Sequence, residues 1–141
     1  MTAEDAATTP AEATVERRVE WHDTDAAGHQ HHSAILRWAE SAESELLRER
    51  GLAWLFGRTP RVRHEVNYRS RVWHGDVVRA RAVVEHVGRT SLRYSFEVTG
   101  PAGTVADGLV VIAHLEPEDT AVSPWPDEVR AALGFPVTTP G

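Results

Sequence analysis

The chain has 141 residues, 41% of them apolar and 26% charged, the composition of a single globular domain with a core of its own. Its net charge of -6 argues against bulk attraction to nucleic acid or to anionic membrane, both of which need a positive field. The lack of cysteine excludes disulfides, thiolate nucleophiles and cysteine-ligated metals, and no apolar run approaches the roughly 20 residues of a membrane helix.

Residues 1–14 are small, polar and without periodicity, and are expected to form a disordered tail. No charged-then-apolar leader is visible among them, so a cytoplasmic location is the expectation. VERRVEWH, residues 15–22, reads as a first strand with Val15, Arg17, Val19 and Trp21 on one face. From Ser33 the period changes to three and four: Ile35, Trp38, Ala39, Ala42, Leu46 and Leu47 share one side, and polar residues fill the other. With Ser33 as N-cap and Gly51 as the stop, this predicts a helix of about 17 residues, roughly 25 Å long. LAWLFG then adds an apolar turn over the core.

After that turn the period becomes two, with Val62, His64, Val66 and Tyr68 opposed to Arg61, Arg63, Glu65, Asn67 and Arg69. Three more strands follow at 75–88, 90–100 and 104–116, separated by breaks of hairpin length, so they form an antiparallel meander. Residues 123–134 read as a short closing helix and 135–141 as a C-terminal tail, leaving one domain over 15–134. Strand, long helix, then four strands make an α+β domain in which one apolar sheet face buries one helix. A single helix leaves sheet edges open, and a homodimer or homotetramer is expected to cover them.

Between the first strand and the helix lies HDTDAAGHQHH, residues 22–32, with two aspartates, a glycine and four of the chain's eight histidines. The free N–H groups that open a helix point back toward such a loop and stabilise negative charge. A carboxylate beside them suits acyl transfer: the N–H groups hold the oxyanion while the carboxylate attacks the carbonyl or activates water. Thioesters fit a site this sparse, because a thiol of pKa near 8.5 leaves easily as the thiolate.

DTDAAGHQHHSAILRWAESAESELLRERG resembles the signature of hotdog-fold acyl-CoA thioesterases of the 4-hydroxybenzoyl-CoA thioesterase class, in which an Asp-x-Asp-x-x-Gly loop precedes the long central helix. VNYRSRVWHGDVVRARAVVEHVGRTSLRYSFEV is similar to the same family's run of a tyrosine-containing strand, a Gly-Asp turn and a Gly-Arg-Ser/Thr-Ser turn, and the likeness covers about residues 15–133. It implies the hotdog fold, a five-stranded antiparallel sheet wrapped around one long central helix. It also implies cofactor-free hydrolysis of an acyl-CoA or acyl-carrier-protein thioester. The family's catalytic aspartate falls on Asp25 and its oxyanion-binding N–H on His32, with Gly28 allowing close approach. Glu40 occupies the position of an acid kept midway along the helix. The thioester enters between subunits, near Tyr68 and near the turn Arg89, Thr90 and Ser91, with Arg89 as the phosphate or pantetheine contact. HQHH departs from the apolar and aromatic residues common in relatives, so His29 and His31 either line a site for a polar or carboxylated acyl group or bond within the loop.

Plainer readings stand beside these. Asp25 has the residue type of a turn former, Asp23 is expected to be structural, and Glu40 on pattern alone is a solvated helix residue. His29, His31 and His32 with either aspartate have the ligand types of a hydrolytic zinc centre, but loop neighbours converge poorly on one ion, so no metal is expected. A hotdog hydratase or dehydratase using His29 or His31, and a non-catalytic acyl-thioester binding module, are the competing functions.

Overall fold

The long helix α1, His32–Glu49, buries one stripe, Ala34, Ile35, Trp38, Ala39, Ala42, Leu46 and Leu47, and the sheet is shaped around it. The computed structural model describes residues 11–118 and 121–137. Five strands, β1 (Glu12–Arg18), β2 (Arg61–Tyr68), β3 (Val77–Val87), β4 (Ser91–Gly100) and β5 (Gly103–Ala113), form one sheet in the order β1-β3-β4-β5-β2. Every neighbouring pair is antiparallel, and β3, β4 and β5 form the expected meander. Alternation in β3 and β4 turns Val78, Ala80, Ala82 and Val84, and Leu92, Tyr94, Phe96 and Val98, into the core. This is the α+β arrangement of one long helix held in a five-stranded antiparallel sheet, with β1 and β2 as its edges.

Four boundaries differ from the reading of the sequence. β1 begins at Glu12, inside the expected tail, and ends at Arg18. Ala11 and Ala13 are buried there, and alanine carries too little apolar surface to stand out in a sequence. Trp21, expected on the strand's inner face, is 81% exposed in a single 3-10 turn, Trp21–Asp23. That turn is closed reciprocally, since Glu20 N–H donates to Asp23 Oδ2 and Asp23 N–H to the Glu20 carbonyl. The helix cap is His31, whose Nδ1 accepts from Ser33 N–H, and Ser33 sits within the helix. The closing helix α2 is shorter than predicted, Asp127–Ala132, while Phe135 beyond it still packs on the core. Residues 1–10 and 138–141 of the two expected tails lie outside the described residues.

Gly51 stops α1 as expected, with a positive φ of 72°. Leu52 and Leu55 of the following turn are buried. Gly108 has a different task. It pairs with Val66 on β2 and Phe96 on β4, and a Cβ there would lie 1.9 Å from the Glu65 carbonyl oxygen and 3.0 Å from the Phe96 ring. The bare backbone is what lets edge strand β2 close onto the sheet. Gly108→Ala is expected to destabilise the protein by about 3 kcal/mol through this overpacking, measured by urea unfolding. A loss within about 0.5 kcal/mol, the range of a neutral surface change, would contradict that role.

Candidate functional site

The loop before α1 folds as a small hairpin. Thr24 bridges Gln30, Asp25 N–H donates to the His29 carbonyl at 2.9 Å, and Gly28 N–H closes the tip on the Asp25 carbonyl at 2.9 Å. Gly28 supplies the positive φ of 90° that this tip needs. The Asp25 carboxylate takes part in its own turn: Oδ1 accepts Ala27 N–H at 2.9 Å, the side-chain turn that aspartate forms readily. Oδ2 lies 3.8 Å from His29 Nδ1. The plain reading of Asp25 as a turn former therefore describes one of its two oxygens, while the other is turned toward His29.

Gln30 anchors this hairpin. Its side chain is buried, donating from Nε2 to the Ser70 carbonyl at 3.1 Å and accepting Val72 N–H on Oε1 at 3.0 Å. Its backbone N–H adds a third bond, to the Val72 carbonyl at 3.0 Å. The loop is thus held against the segment that leaves β2. Between them lies a cavity of about 340 Å³ lined by Asp25, His29, Gln30, His32, Tyr68 and the polar run Arg69, Ser70 and Arg71. Tyr68 completes the wall by donating its hydroxyl to the His32 carbonyl at 3.3 Å.

At the helix start three N–H groups are already used. His31 N–H donates to the Asp23 carbonyl, Ser33 N–H to His31 Nδ1, and Ala34 N–H to the His31 carbonyl. His32 N–H makes no hydrogen bond among the described residues. It is an open donor, at the positive end of the α1 dipole, on a residue that lines the same cavity as Asp25.

The histidines divide by role. His29 Nδ1 lies 3.1 Å from the Gln30 carbonyl, which only accepts, so that carbonyl places the proton on Nδ1. The His31 ring turns away to cap α1 and to meet Ser33 Oγ at 2.8 Å, and it lies tilted against the His32 ring with centroids 4.1 Å apart. Among the described residues no three histidine, aspartate or glutamate side chains come together as a metal site.

Asp23 is buried and structural. Arg37 Nη2 donates to its Oδ1 at 2.8 Å, tying the first turn of the loop to α1. Burial pushes its carboxyl up, but the Arg37 hydrogen bond, the Glu20 N–H and the charges of His22 and Arg37 outweigh this and hold it below the ordinary carboxylate range.

Glu40 and the 89–91 turn do not line the Asp25 cavity. Glu40 lines a larger cavity of about 510 Å³ beside Phe56, Pro60 and Leu115, with its carboxylate 3.5 Å from Arg61. Arg89 lines a third, of about 460 Å³, with Pro124, Trp125, Asp127 and Arg130. Beside Glu40 stands a group that pattern reading misses: the buried Glu43 carboxylate takes two Arg61 nitrogens, at 2.6 and 2.9 Å, and the Tyr94 hydroxyl at 2.8 Å. Burial and Glu43 push the Tyr94 hydroxyl far up, with Arg61 opposing. The same network anchors β2 to α1 at the end opposite His32. Also missed were Gln30, Ser70 and Arg71, since only the fold joins the loop to the end of β2.

Residues 19–133 match the thioesterase-like superfamily, and the chain belongs to that family. Among solved structures it is similar to a thioesterase from Thermus thermophilus complexed with coenzyme A and Zn. The two share 28% identity over 86% of this chain and 90% of that one, with a TM-score of 0.79. A predicted thioesterase from Bacillus stearothermophilus is 26% identical, covering 93% of this chain and 100% of that one, at a TM-score of 0.81. A 1,4-dihydroxy-2-naphthoyl-CoA thioesterase from Synechocystis, 18% identical over 86% and 95% of the two chains, shares the fold at a TM-score of 0.77. No curated protein matches the sequence. The fold is thus the hotdog fold of thioesterases. No helix among the described residues is long and apolar enough to cross a membrane.

The Asp23 shift has a stability consequence. Its folded pKa lies below the unfolded value, so the contribution is present above that unfolded value, about 3.9, and is lost as pH falls through the folded one. Arg37 is half exposed, which limits the gain to about 1 kcal/mol. Asp23→Asn is expected to lose that amount near neutral pH, and its gap to the wild type to narrow between about pH 5 and pH 2 in urea titrations. A gap constant over that range would contradict the assignment.

Proposed function

We propose that the chain hydrolyses acyl-CoA thioesters, with Asp25 as the reacting carboxylate and the His32 N–H as the oxyanion donor. The observation that carries this reading is that Asp25 and the residue bearing the open helix-start N–H line one cavity. On this reading a thioester carbonyl bound in that cavity takes the carboxylate as its attacker or base and the N–H as its oxyanion donor. The carboxylate either attacks the carbonyl carbon, forming an acyl-aspartate that water cleaves, or takes a proton from an attacking water. In both routes the carbon–sulfur bond breaks, coenzyme A leaves as the thiolate, and one water is consumed to give the free acid.

Gly28 serves this site by turning the hairpin tip, His29 and Tyr68 line it, and His31 orders the helix start. Arg89, Thr90 and Ser91 are the proposed contact for the coenzyme A arm. They lie outside the Asp25 cavity of their own chain, which fits a thioester bridging two copies. Edge strand β2, with Val62 and Tyr68 exposed, suits pairing of those copies as a homodimer or a homotetramer. Glu40 then belongs to the acyl side of the site. Coenzyme A is the proposed carrier, with acyl carrier protein as the alternative, and the cytoplasm is the proposed location.

A second reading rests on His29. It shares the cavity with Asp25, and a hotdog hydratase needs a histidine base beside an acid. Hydration of an enoyl thioester without release of thiol would select it, whereas tight binding with no turnover would select a binding module.

Asp25→Asn separates folding from chemistry, because an amide oxygen still accepts the Ala27 N–H while the charge is gone. With aromatic, straight-chain and dicarboxylic acyl-CoAs, thiol release followed by a colorimetric disulfide reagent is expected to fall at least about 100-fold in this variant. A chelator is expected to leave the wild type unchanged, and a chain without cysteine gives no thiol background. Undiminished release by Asp25→Asn would remove Asp25 from the mechanism.

A further inference from the structure

The turn between β3 and β4 is gripped by the C-terminal segment through its carbonyls. Arg130 donates from Nη1 to the Val87 carbonyl and from Nη2 to the Gly88 carbonyl. Trp125 N–H donates to the Arg89 carbonyl at 3.0 Å, and Trp125 Nε1 to the Ser91 carbonyl at 3.0 Å. The Thr90 carbonyl accepts His114 N–H at 3.0 Å. Every carbonyl from Val87 to Ser91 is therefore bonded, four of the five to the C-terminal segment.

The grip is itself braced. Trp125 is buried and stacks on the His114 ring with centroids 4.9 Å apart, and His114 Nδ1 lies 3.2 and 3.1 Å from the Ser123 and Pro124 carbonyls. Val129 and Leu133 of the same segment are buried in the core. These are more hydrogen bonds than a hairpin turn needs to close.

Their consequence follows from peptide geometry. In a planar trans peptide the N–H of one residue points opposite to the carbonyl of the residue before it. Drawing the Gly88 and Arg89 carbonyls toward Arg130 and Trp125 turns the N–H groups of Arg89 and Thr90 the other way. Those two N–H groups make no hydrogen bond among the described residues, and the Arg89 guanidinium makes no ion pair there. Successive outward N–H groups beside a free guanidinium are the elements of an anion-binding concavity.

We propose that the C-terminal segment is a clasp that sets this turn for anion recognition, with Trp125 and Arg130 as positioning residues for the phosphates of coenzyme A. The inference rests on the reading in which the 89–91 turn meets the coenzyme A arm. Neither residue touches the thioester: each holds carbonyls inward so that Arg89 and Thr90 present their donors outward.

The test compares an acyl-CoA with the same acyl group on N-acetylcysteamine, a thioester without phosphates, and adds calorimetric binding of coenzyme A itself. Arg130→Met is expected to raise KM for the acyl-CoA and Kd for coenzyme A about tenfold, near 1.4 kcal/mol, and Trp125→Phe, which keeps the backbone N–H on the Arg89 carbonyl and loses only the Nε1 bond to Ser91, to raise both by a smaller factor. The kcat changes less than about twofold, a small fraction of a tenfold barrier step, and KM for the truncated thioester stays put. Arg130→Lys, able to serve one carbonyl, falls between Arg130→Met and the wild type and keeps the test in hand should Arg130→Met not fold. Equal losses on both thioesters, a loss in kcat alone, or no change in any variant overturns the clasp. If the wild type releases thiol from neither thioester, hydrolysis fails, and coenzyme A binding then decides the clasp alone. No binding by the wild type overturns that as well.

Discussion

The site depends first on the side chain of Gln30. Its amide spans from the loop before α1 to the segment after β2, satisfying one carbonyl and one N–H that burial would otherwise leave without partners. An unpaired buried polar group costs about 1–3 kcal/mol, so the two walls of the Asp25 cavity are held by an interaction that is expensive to break. With Gln30 seated, the hairpin carrying Asp25 and the strand end carrying Tyr68 have one relative position. Asp23 sets the second coordinate by tying the loop's first turn to Arg37 on α1.

The helix supplies the other half of that frame. Its buried stripe fixes the rotation of α1 about its own axis, and rotation decides which way the first N–H groups face. His31, by capping Ser33 N–H with an imidazole nitrogen, takes up one of the helix-start donors and leaves the His32 N–H as the open one among the described residues. At the far end of the gap between α1 and β2, the ion pair of Glu43 and Arg61 with Tyr94 joins helix to sheet. A buried carboxylate stands there only because it has a charge partner and two kinds of donor.

Much of this was legible in the residues. The change of period at Ser33 placed α1 to within two residues, and the two-residue period after Pro60 placed β2, because both patterns carry large apolar side chains. β1 was misplaced because the buried residues at its start are the alanines Ala11, just before the strand, and Ala13 within it, which look like tail, while the large Trp21 lies outside on a turn. Asp25, His29, His32 and Tyr68 were picked from the sequence and meet at one cavity. Glu40 and Arg89 were picked with them and line other cavities of the same chain, because the resemblance that named them carries no distances within this chain. Glu43 sat in plain view within the apolar stripe, one turn beyond Ala39. A carboxylate in that position signals a buried partner, but the partner, Arg61, was hidden in a strand of alternating charges. Gln30 was overlooked between histidines because amides carry no charge to attract notice.

Asp25 does two jobs with two oxygens, one closing the turn on Ala27 and the other turned toward His29. If Asp25 is the reacting carboxylate, as proposed, selection acting on the shape of the loop and selection acting on its reactivity converge on a single codon. A lineage that gave up the reaction would still keep an oxygen at this position to hold the turn, and asparagine is the residue that supplies it without the charge. Loss of function in such descendants would leave the loop's outline intact, so a non-catalytic relative would keep the shape of the site long after its chemistry had gone.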